Sequence, residues 1–285
     1  MDTLRGTRVG VPALCRALAK RAIRASFFFS SGPDNMGRNL WRLLKPAFLL
    51  KMLRSNAPGL YGWDILLRGT FWPGPEIGRA CAPMIRDSVR DGHELGFHAW
   101  DHHAWQQGIG AWNEDRVRRA ISRGMAALAD AAGAAPVCSA APAWKCTPIV
   151  LNIKAELPLK YNSDCRGRSI FLPQFADSTL QQPQIPVTLP TFDEAVGRNG
   201  VTMATYNDHI LGLCRPDALN VLAIHAEVEG GVCADMFGRF LDKALSEGCG
   251  FCALGDLLGN TQSLPRGQMV RGSMEGREGW ISLQA

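Results

Sequence analysis

The apolar residues of the chain follow two alternating spacings, one typical of helices and one typical of strands. From Val11 onward, apolar side chains recur every three or four residues as far as Ala22, which places them on one face of a helix. The same spacing predicts helices over 79–90, over 235–246 and, after a cap at Asn113, as far as Leu128. Short apolar runs predict strands at 23–29, 94–98, 136–140, 159–163, 184–189, 221–224 and 250–253.

This alternation predicts an α/β fold with a mostly parallel sheet, and the number of strand–helix units favours a barrel. The 285 residues suffice for one such domain, and we assign 1–260 to the barrel and 261–285 to a C-terminal tail packed on it. Residues 31–78 interrupt the pattern because they are rich in Gly, Pro, Trp and Leu. We interpret them as a long insertion, and insertions of that length usually have a function.

Composition and charge narrow the classes to which the chain can belong. Apolar residues make up 46% and charged residues 20%, which argues against a disordered chain. The net charge of +5 suits an anionic substrate or an anionic membrane surface without deciding between them, and no basic stripe indicates nucleic-acid binding. We expect no transmembrane helix, because no uninterrupted apolar run reaches about eighteen residues. The first residues also lack the pattern of a signal peptide.

The cysteines do not predict a disulfide framework, because there are nine of them and they are scattered along the chain. Cys249 and Cys252 have the spacing of a metal-binding pair, but no second pair completes a zinc site. We interpret the cysteines as buried free thiols in a reducing cytoplasm.

The sharpest chemical signal is the segment HAWDHH at 98–103, where a predicted strand ends. Two histidines four residues apart, such as His98 and His102, can direct ring nitrogens at one divalent metal ion. The zinc-protease motif His-Glu-x-x-His does not apply, because Ala99 stands where that motif has its glutamate. The alternative is an ordinary polar loop whose histidines bond the backbone.

Further polar residues follow other predicted strands. His225 comes after 221–224 and Asp164 after 159–163. In a parallel barrel the carboxyl ends of the strands gather at one face, where active sites are built. Alternatively, His225 is a core histidine and Asp164 caps a turn. Asp2 is of interest because a metal with two histidine ligands usually takes a third ligand, often a carboxylate.

Several segments resemble one known family. They are DTLRGTR (2–8), GPDNMGR (32–38), YGWDILL (61–67), HAWDHHAW (98–105), YNSDCRG (161–167), IHAEVEG (224–230) and GREGW (276–280). In this order they are similar to the 4-deoxy-4-formamido-L-arabinose-phosphoundecaprenol deformylases (ArnD), a branch of the NodB-like polysaccharide deacetylases. The segments at 32–38 and 61–67 are peculiar to this branch, so the resemblance is specific.

The resemblance implies a distorted (β/α)7 barrel with the insertion after its second strand. It implies release of formate from a formamido sugar carried by undecaprenyl phosphate, at the cytoplasmic face of the inner membrane of a Gram-negative bacterium. The amino sugar formed is then attached to lipid A, which weakens binding of polymyxin and other cationic peptides. It also implies that Asp2, His98 and His102 bind a divalent metal, that His225 is the general acid, and that Asp164 supports His225. Zinc, cobalt, manganese and iron(II) all suit such ligands.

Two positions depart from the family's pattern. The family begins with Asp-x-Asp-Thr, whose first Asp is the catalytic base, and Met1 occupies the middle position of that motif. We therefore expect the base and the first strand to be missing, either because the start is misplaced or because the gene has lost them. Lys145 stands where the family has an arginine that orients the base, and it lacks the planar fork of that arginine.

The insertion contains a segment, 40–53, in which apolar and basic residues interleave. Such a segment is typical of chain that lies in a membrane interface, and the alternative is a lid helix packed on the barrel and interrupted by Pro46. Two rival functions remain open at this point. The chain could deacetylate a soluble chito-oligosaccharide or peptidoglycan, or it could bind a lipid-linked sugar without catalysis.

Overall fold

Four parallel strands form the central sheet of the protein. The computed structural model describes residues 1–38, 69–70, 72–175, 178–259, 263–275, 277 and 279–285. The strands are β1 (Ser26–Ser30), β2 (Glu94–Ala99), β3 (Cys138–Ser139) and β4 (Tyr161–Asn162), hydrogen-bonded in that order. Phe27 and Phe29 of β1 are buried, and aromatic residues favour the pleated, half-buried surface of a strand. The predicted α/β fold with a parallel sheet is confirmed.

Nine α-helices lie in the described part of the chain. They are α1 (Val11–Ala19), α2 (Ile77–Ala80), α3 (Ala82–Arg90), α4 (His102–Gly108), α5 (Glu114–Ala132), α6 (Pro148–Ala155), α7 (Phe192–Ala195), α8 (Tyr206–Leu213) and α9 (Ala234–Ser246). The predicted cap of α5 is confirmed, because the Asn113 side chain accepts a hydrogen bond from the Arg116 amide. α1 ends before the predicted Ala22, whose φ of 53° lies in the left-handed region outside helical geometry.

Three predicted strands are wrong in detail. These are 184–189, 221–224 and 250–253, which form no ladder in the structure. In the first of them Val187 makes only an isolated parallel bridge with Arg166. Pro186 precedes it and cannot donate the amide hydrogen bond that a continuous ladder needs. The next segment meets this one where the Leu189 amide donates to the Val221 carbonyl (3.0 Å). The sheet therefore continues as extended but irregular chain, which is compatible with a distorted barrel.

The C-terminal part of the chain forms short strands outside the central sheet. They are β5 (Leu172–Phe175), β6 (Ser178–Thr179), β7 (Arg266–Gly267), β8 (Met269–Gly272) and β9 (Ile281–Gln284). Ser282 of β9 donates from Oγ to the Cys146 carbonyl (2.9 Å) and accepts a bond at its own carbonyl from the Arg166 amide (3.0 Å). The tail thus contacts the segment that follows β3.

The predicted interfacial segment 40–53 lies outside the described residues. At the start of the insertion, Oδ2 of Asp34 accepts a hydrogen bond from the Leu4 amide (2.9 Å), which ties the insertion to the N-terminal segment. No helix in the described part of the chain combines the length and apolar character that crossing a membrane requires. Six of the nine cysteines are buried and all nine are free thiols.

Candidate metal centre

Two candidate metal ligands lie where β2 ends and α4 begins. His98 is near the end of β2 and His102 is the first residue of α4. Asp101 caps this helix, because its Oδ1 accepts a hydrogen bond from the Ala104 amide (2.9 Å). Its Oδ2 accepts a second bond from Nδ2 of Asn35 in the insertion (2.6 Å). This capping fixes the start of α4, and the two imidazole rings lie with their centroids 5.2 Å apart.

Asp2 lies between the two imidazoles. Its Oδ1 is 3.4 Å from Nε2 of His98, and its Oδ2 is 3.3 Å from Nε2 of His102. The three residues offer ligand atoms that all lie within 4.8 Å of one another. The structure therefore brings together the three predicted metal ligands, although Asp2 is 96 residues distant from His98 in the sequence.

Electrostatics keep this cluster in the protonation state that a metal requires. Burial by itself raises the pKa of Asp2, but His102, the Met1 amino group and His98 together hold that pKa well below its ordinary value. Burial lowers the pKa of His102 to about 3, although Asp2 opposes this shift. Asp2 is thus held as a carboxylate, which presents lone pairs to a cation.

The ring of His98 is oriented by the backbone. Its Nδ1 lies 2.7 Å from the Ala140 carbonyl oxygen, and since a carbonyl can only accept, Nδ1 carries the proton. Nε2 faces Asp2 and is the ring nitrogen that would ligate a metal ion, and a backbone bond at the other ring nitrogen is the arrangement found for metal-ligating histidines. Two imidazole nitrogens and one carboxylate fit a divalent transition metal with positions left open for water or substrate.

His225 and the metal cluster line the same cavity, which has a volume of about 960 Å³. His225 is partly exposed rather than buried in the core. The backbone around His225 is closed into a turn, because its carbonyl accepts bonds from the amides of Val228 (2.9 Å) and Glu229 (3.0 Å). His225 therefore lies in the lining of the cavity that the metal cluster also lines, although no ladder forms at its segment.

Asp164 and Lys145 lie outside the lining of this cavity. Asp164 is fully buried and pairs with Nζ of Lys154 (2.6 Å), and it also accepts a bond from Nε2 of Gln184 (3.4 Å). Lys145 donates from Nζ to the Gln106 carbonyl (2.8 Å). The contacts of both residues join elements of the fold, and their predicted roles beside the general acid and the base stay predictions.

Breaking the buried Lys154–Asp164 pair tests which role Asp164 has. We expect Lys154→Met to lower the free energy of unfolding by about 3–5 kcal/mol, because it leaves an uncompensated buried carboxylate. Urea denaturation measures this change. The double variant Lys154→Met/Asp164→Leu should recover most of the loss. A double variant that is stable but inactive would instead place Asp164 in the catalytic machinery.

Several residues in or near the cavity had no role predicted from the sequence. Trp144 lines its wall with a left-handed φ of 51°, and the guanidinium groups of Arg166 and Arg277 lie 4.9 and 4.6 Å from its ring centroid. Glu227 and Glu229, which follow His225, are buried although both carry carboxylates. Both glutamates lie in the segment IHAEVEG (224–230), and its resemblance to the family is the signal that could have pointed to them.

Glu229 should make stability depend on pH. Burial raises the pKa of its carboxyl from 4.5 to about 7, against the opposing influence of His225. Between these two values the folded protein holds a proton that the unfolded chain releases, so this group lowers the free energy of unfolding as pH rises from 4.5 to about 7. We expect Glu229→Gln to gain stability relative to the parent protein over that interval, measured by urea denaturation at stepped pH. The exposed Glu247→Gln should show no such trend.

Comparisons with known proteins identify the family of the chain. A family model described as polysaccharide deacetylase matches residues 5–162. A protein of Shewanella sediminis (strain HAW-EB3), named "Probable 4-deoxy-4-formamido-L-arabinose-phosphoundecaprenol deformylase ArnD", is 48% identical over 100% of this chain and 92% of its own length. A protein of Wigglesworthia glossinidia brevipalpis with the same name is 41% identical over 98% of both chains.

The crystal structure of a "putative polysaccharide deacetylase from Mycobacterium smegmatis" has the same fold. It matches with a TM-score of 0.64 at 18% identity, over 94% of this chain and 83% of its own. The chain belongs to the polysaccharide deacetylase family and, within it, to the 4-deoxy-4-formamido-L-arabinose-phosphoundecaprenol deformylases.

Proposed function

We propose that the protein hydrolyses the formamide of 4-deoxy-4-formamido-L-arabinose-phosphoundecaprenol in a metal-dependent reaction. The products are formate and 4-amino-4-deoxy-L-arabinose-phosphoundecaprenol, whose amino sugar serves lipid A modification and resistance to polymyxin. The observation that carries this proposal is the opening of Asp2, His98 and His102 into one cavity with His225. The names of the two curated relatives support the choice of substrate.

The residues of the cavity have separate tasks in this reaction. When bound, a divalent ion supplies Lewis acidity, which makes the poorly electrophilic amide carbonyl easier to attack. Asp2, His98 and His102 hold that ion. His225 supplies the proton that the departing amine nitrogen needs. Zinc, cobalt, manganese and iron(II) are the candidates that this ligand set favours.

A specific observation favours a second candidate, a lipid-linked-sugar binder without turnover. Among the described residues that line the cavity, the carboxylates are Asp2 and Glu247, and Asp2 is already engaged by the two imidazoles. Besides Asp2, the described lining therefore offers only the exposed Glu247 as a carboxylate that could accept the proton of the attacking water. Such a binder would retain affinity for the lipid-linked sugar but release no formate.

Formate release decides between these functions. The purified chain is supplied with zinc, cobalt, manganese or iron(II) and incubated with the formamido-arabinose lipid or with an acetylated amino sugar. Formate from the first substrate supports the deformylase, and acetate from the second supports the rival deacetylase. Binding of the lipid without either product supports the non-catalytic binder and overturns the proposed activity.

We further propose that the protein works as a peripheral protein at the cytoplasmic face of the inner membrane. The lipid-linked substrate and the net charge of +5 support this location, since anionic headgroups attract a basic protein. Cosedimentation with anionic but not with neutral vesicles is the expected result, and equal behaviour with both would contradict an electrostatic contact.

A further inference from the structure

The segment after His225 contacts both halves of the candidate site. It runs from His225 into a short, kinked turn (Val228–Val232), which packs on a helical turn (Gly6–Gly10) that follows Asp2. Two buried carboxylates, Glu227 and Glu229, stand in this segment, and neither has a role in the mechanism proposed above.

Glu227 holds the backbone that carries Asp2. Its Oε1 accepts three hydrogen bonds, from the amides of Asp2 (2.9 Å) and Thr3 (2.9 Å) and from Oγ1 of Thr3 (2.8 Å). These three hydrogen bonds converge on one oxygen atom. Asp2 is therefore fixed on its backbone side by Glu227 while its carboxylate faces the imidazoles.

Glu229 holds the backbone of His225. Its Oε2 accepts the amide N–H of His225 (2.9 Å), and its own amide donates to the His225 carbonyl (3.0 Å). Both polar backbone groups of His225 are thus bound by one residue. His225 lies in a segment that forms no sheet ladder, so these bonds replace the support that a strand would give.

The two turns leave no room for adjustment between them. A Cβ on Gly6 would lie 2.0 Å from Oε1 of Glu227, and a Cβ on Gly10 would lie 2.0 Å from the Ala226 carbonyl oxygen. The backbone at Gly10 therefore packs directly on the backbone at Ala226, and the backbone at Gly6 packs on the carboxylate of Glu227. A displacement of one turn would move the other.

We propose that Glu227 and Glu229 are positioning residues: Glu227 fixes the metal ligand Asp2, Glu229 fixes the proton donor His225, and the turn they share sets the spacing between metal and acid. This inference rests on the proposed function for the role of His225. Its metal-binding part depends only on the cluster of Asp2, His98 and His102. Groups that support metal ligands typically change metal affinity or activity by about 10–100-fold when they are removed.

The test separates the two carboxylates by different measurements on the full chain. We expect Glu227→Ala to weaken Co²⁺ binding, measured by titration, by about 10–100-fold. We expect Glu229→Ala to leave Co²⁺ binding unchanged, to lower kcat for formate release by up to about 100-fold without raising KM, and to speed hydrogen exchange at the His225 amide. Glu227→Gln and Glu229→Gln keep an acceptor oxygen and should recover most of each loss.

Glu94→Ala is the matched structural control. Glu94 is a partly buried carboxylate at the opposite end of β2, where it accepts a bond from the Tyr161 hydroxyl (2.6 Å). Its loss should lower the melting temperature without changing Co²⁺ affinity or exchange at His225. If Glu227→Ala binds Co²⁺ like the parent protein, or if Glu229→Ala exchanges at His225 like the parent protein, the proposal is wrong.

Two milder variants cover the case in which the alanine variants do not fold. Thr3→Val removes one of the three donors to Glu227 and should weaken Co²⁺ binding about fivefold. Glu229→Asp is too short to reach the His225 amide and should speed its exchange. Parental values for both would overturn the proposal. A parent protein that releases no formate would remove the proposed function, but Co²⁺ affinity and amide exchange would still decide this inference.

Discussion

Replacing His225 with glutamine is expected to lower kcat for formate release by about 10²–10⁴-fold. Glutamine is similar in size but cannot deliver a proton at neutral pH, so the amine nitrogen would have to leave unprotonated. Metal binding should not change, because the ligand atoms of the cluster come from Asp2, His98 and His102. Steady-state kinetics and Co²⁺ titration on the same preparation measure the two quantities.

His93→Gln is the matched control for this substitution. His93 precedes β2 at the end of the sheet opposite to His98, and its Nδ1 accepts the Ala25 amide (3.2 Å). Its replacement should reduce stability while kcat stays close to that of the parent protein. Equal losses of kcat in both variants would mean that His225 acts through folding rather than through proton transfer.

Removing the metal is expected to have an effect of similar size. Lewis-acid stabilisation contributes several kcal/mol to a transition state, so chelation should slow formate release by at least about 10³-fold. His102→Ala should have the same effect, because it deletes a buried ligand whose pKa of about 3 leaves its imidazole neutral at physiological pH. Activity is measured after dialysis against a chelator and again after each divalent metal is returned.

The neighbouring histidine provides the control for the metal prediction. His103→Ala changes the residue next to His102 but removes no member of the cluster of Asp2, His98 and His102. Metal content and turnover should stay near parental values in this variant. Full activity in a preparation from which the metal has been removed would contradict metal dependence.

Short sequence patterns predicted the features that depend on residues close together in the chain, such as helix caps and ligand spacing. The spacing of His98 and His102 predicted two candidate metal ligands, which the structure brings together with Asp2. Asn113 marked the start of α5, because capping acts over a few residues. The run 184–189 was wrongly predicted to be a regular strand. Its apolar character does not show that Pro186 lacks the amide hydrogen that a ladder needs.

The remaining parts depend on contacts between distant residues. Asp2 was a candidate because the two histidines needed a third ligand and because the family resemblance implies that role. Glu227 was missed because its partners, Asp2 and Thr3, lie more than 200 residues away, at separations of 225 and 224. No spacing rule connects residues so far apart in the sequence. Glutamate is usually exposed, and only the folded structure shows that the two glutamates of IHAEVEG are buried.

The close packing of Gly10 against Ala226 has a consequence for engineering. Gly10 leads directly into α1 and packs against Ala226, the neighbour of His225. A change in the angle of α1 would therefore also shift His225. Larger side chains at Leu14 or Leu18, chosen only to improve thermostability, would also alter turnover. Libraries intended to broaden the range of accepted amides should therefore vary α1 together with the residues around His225.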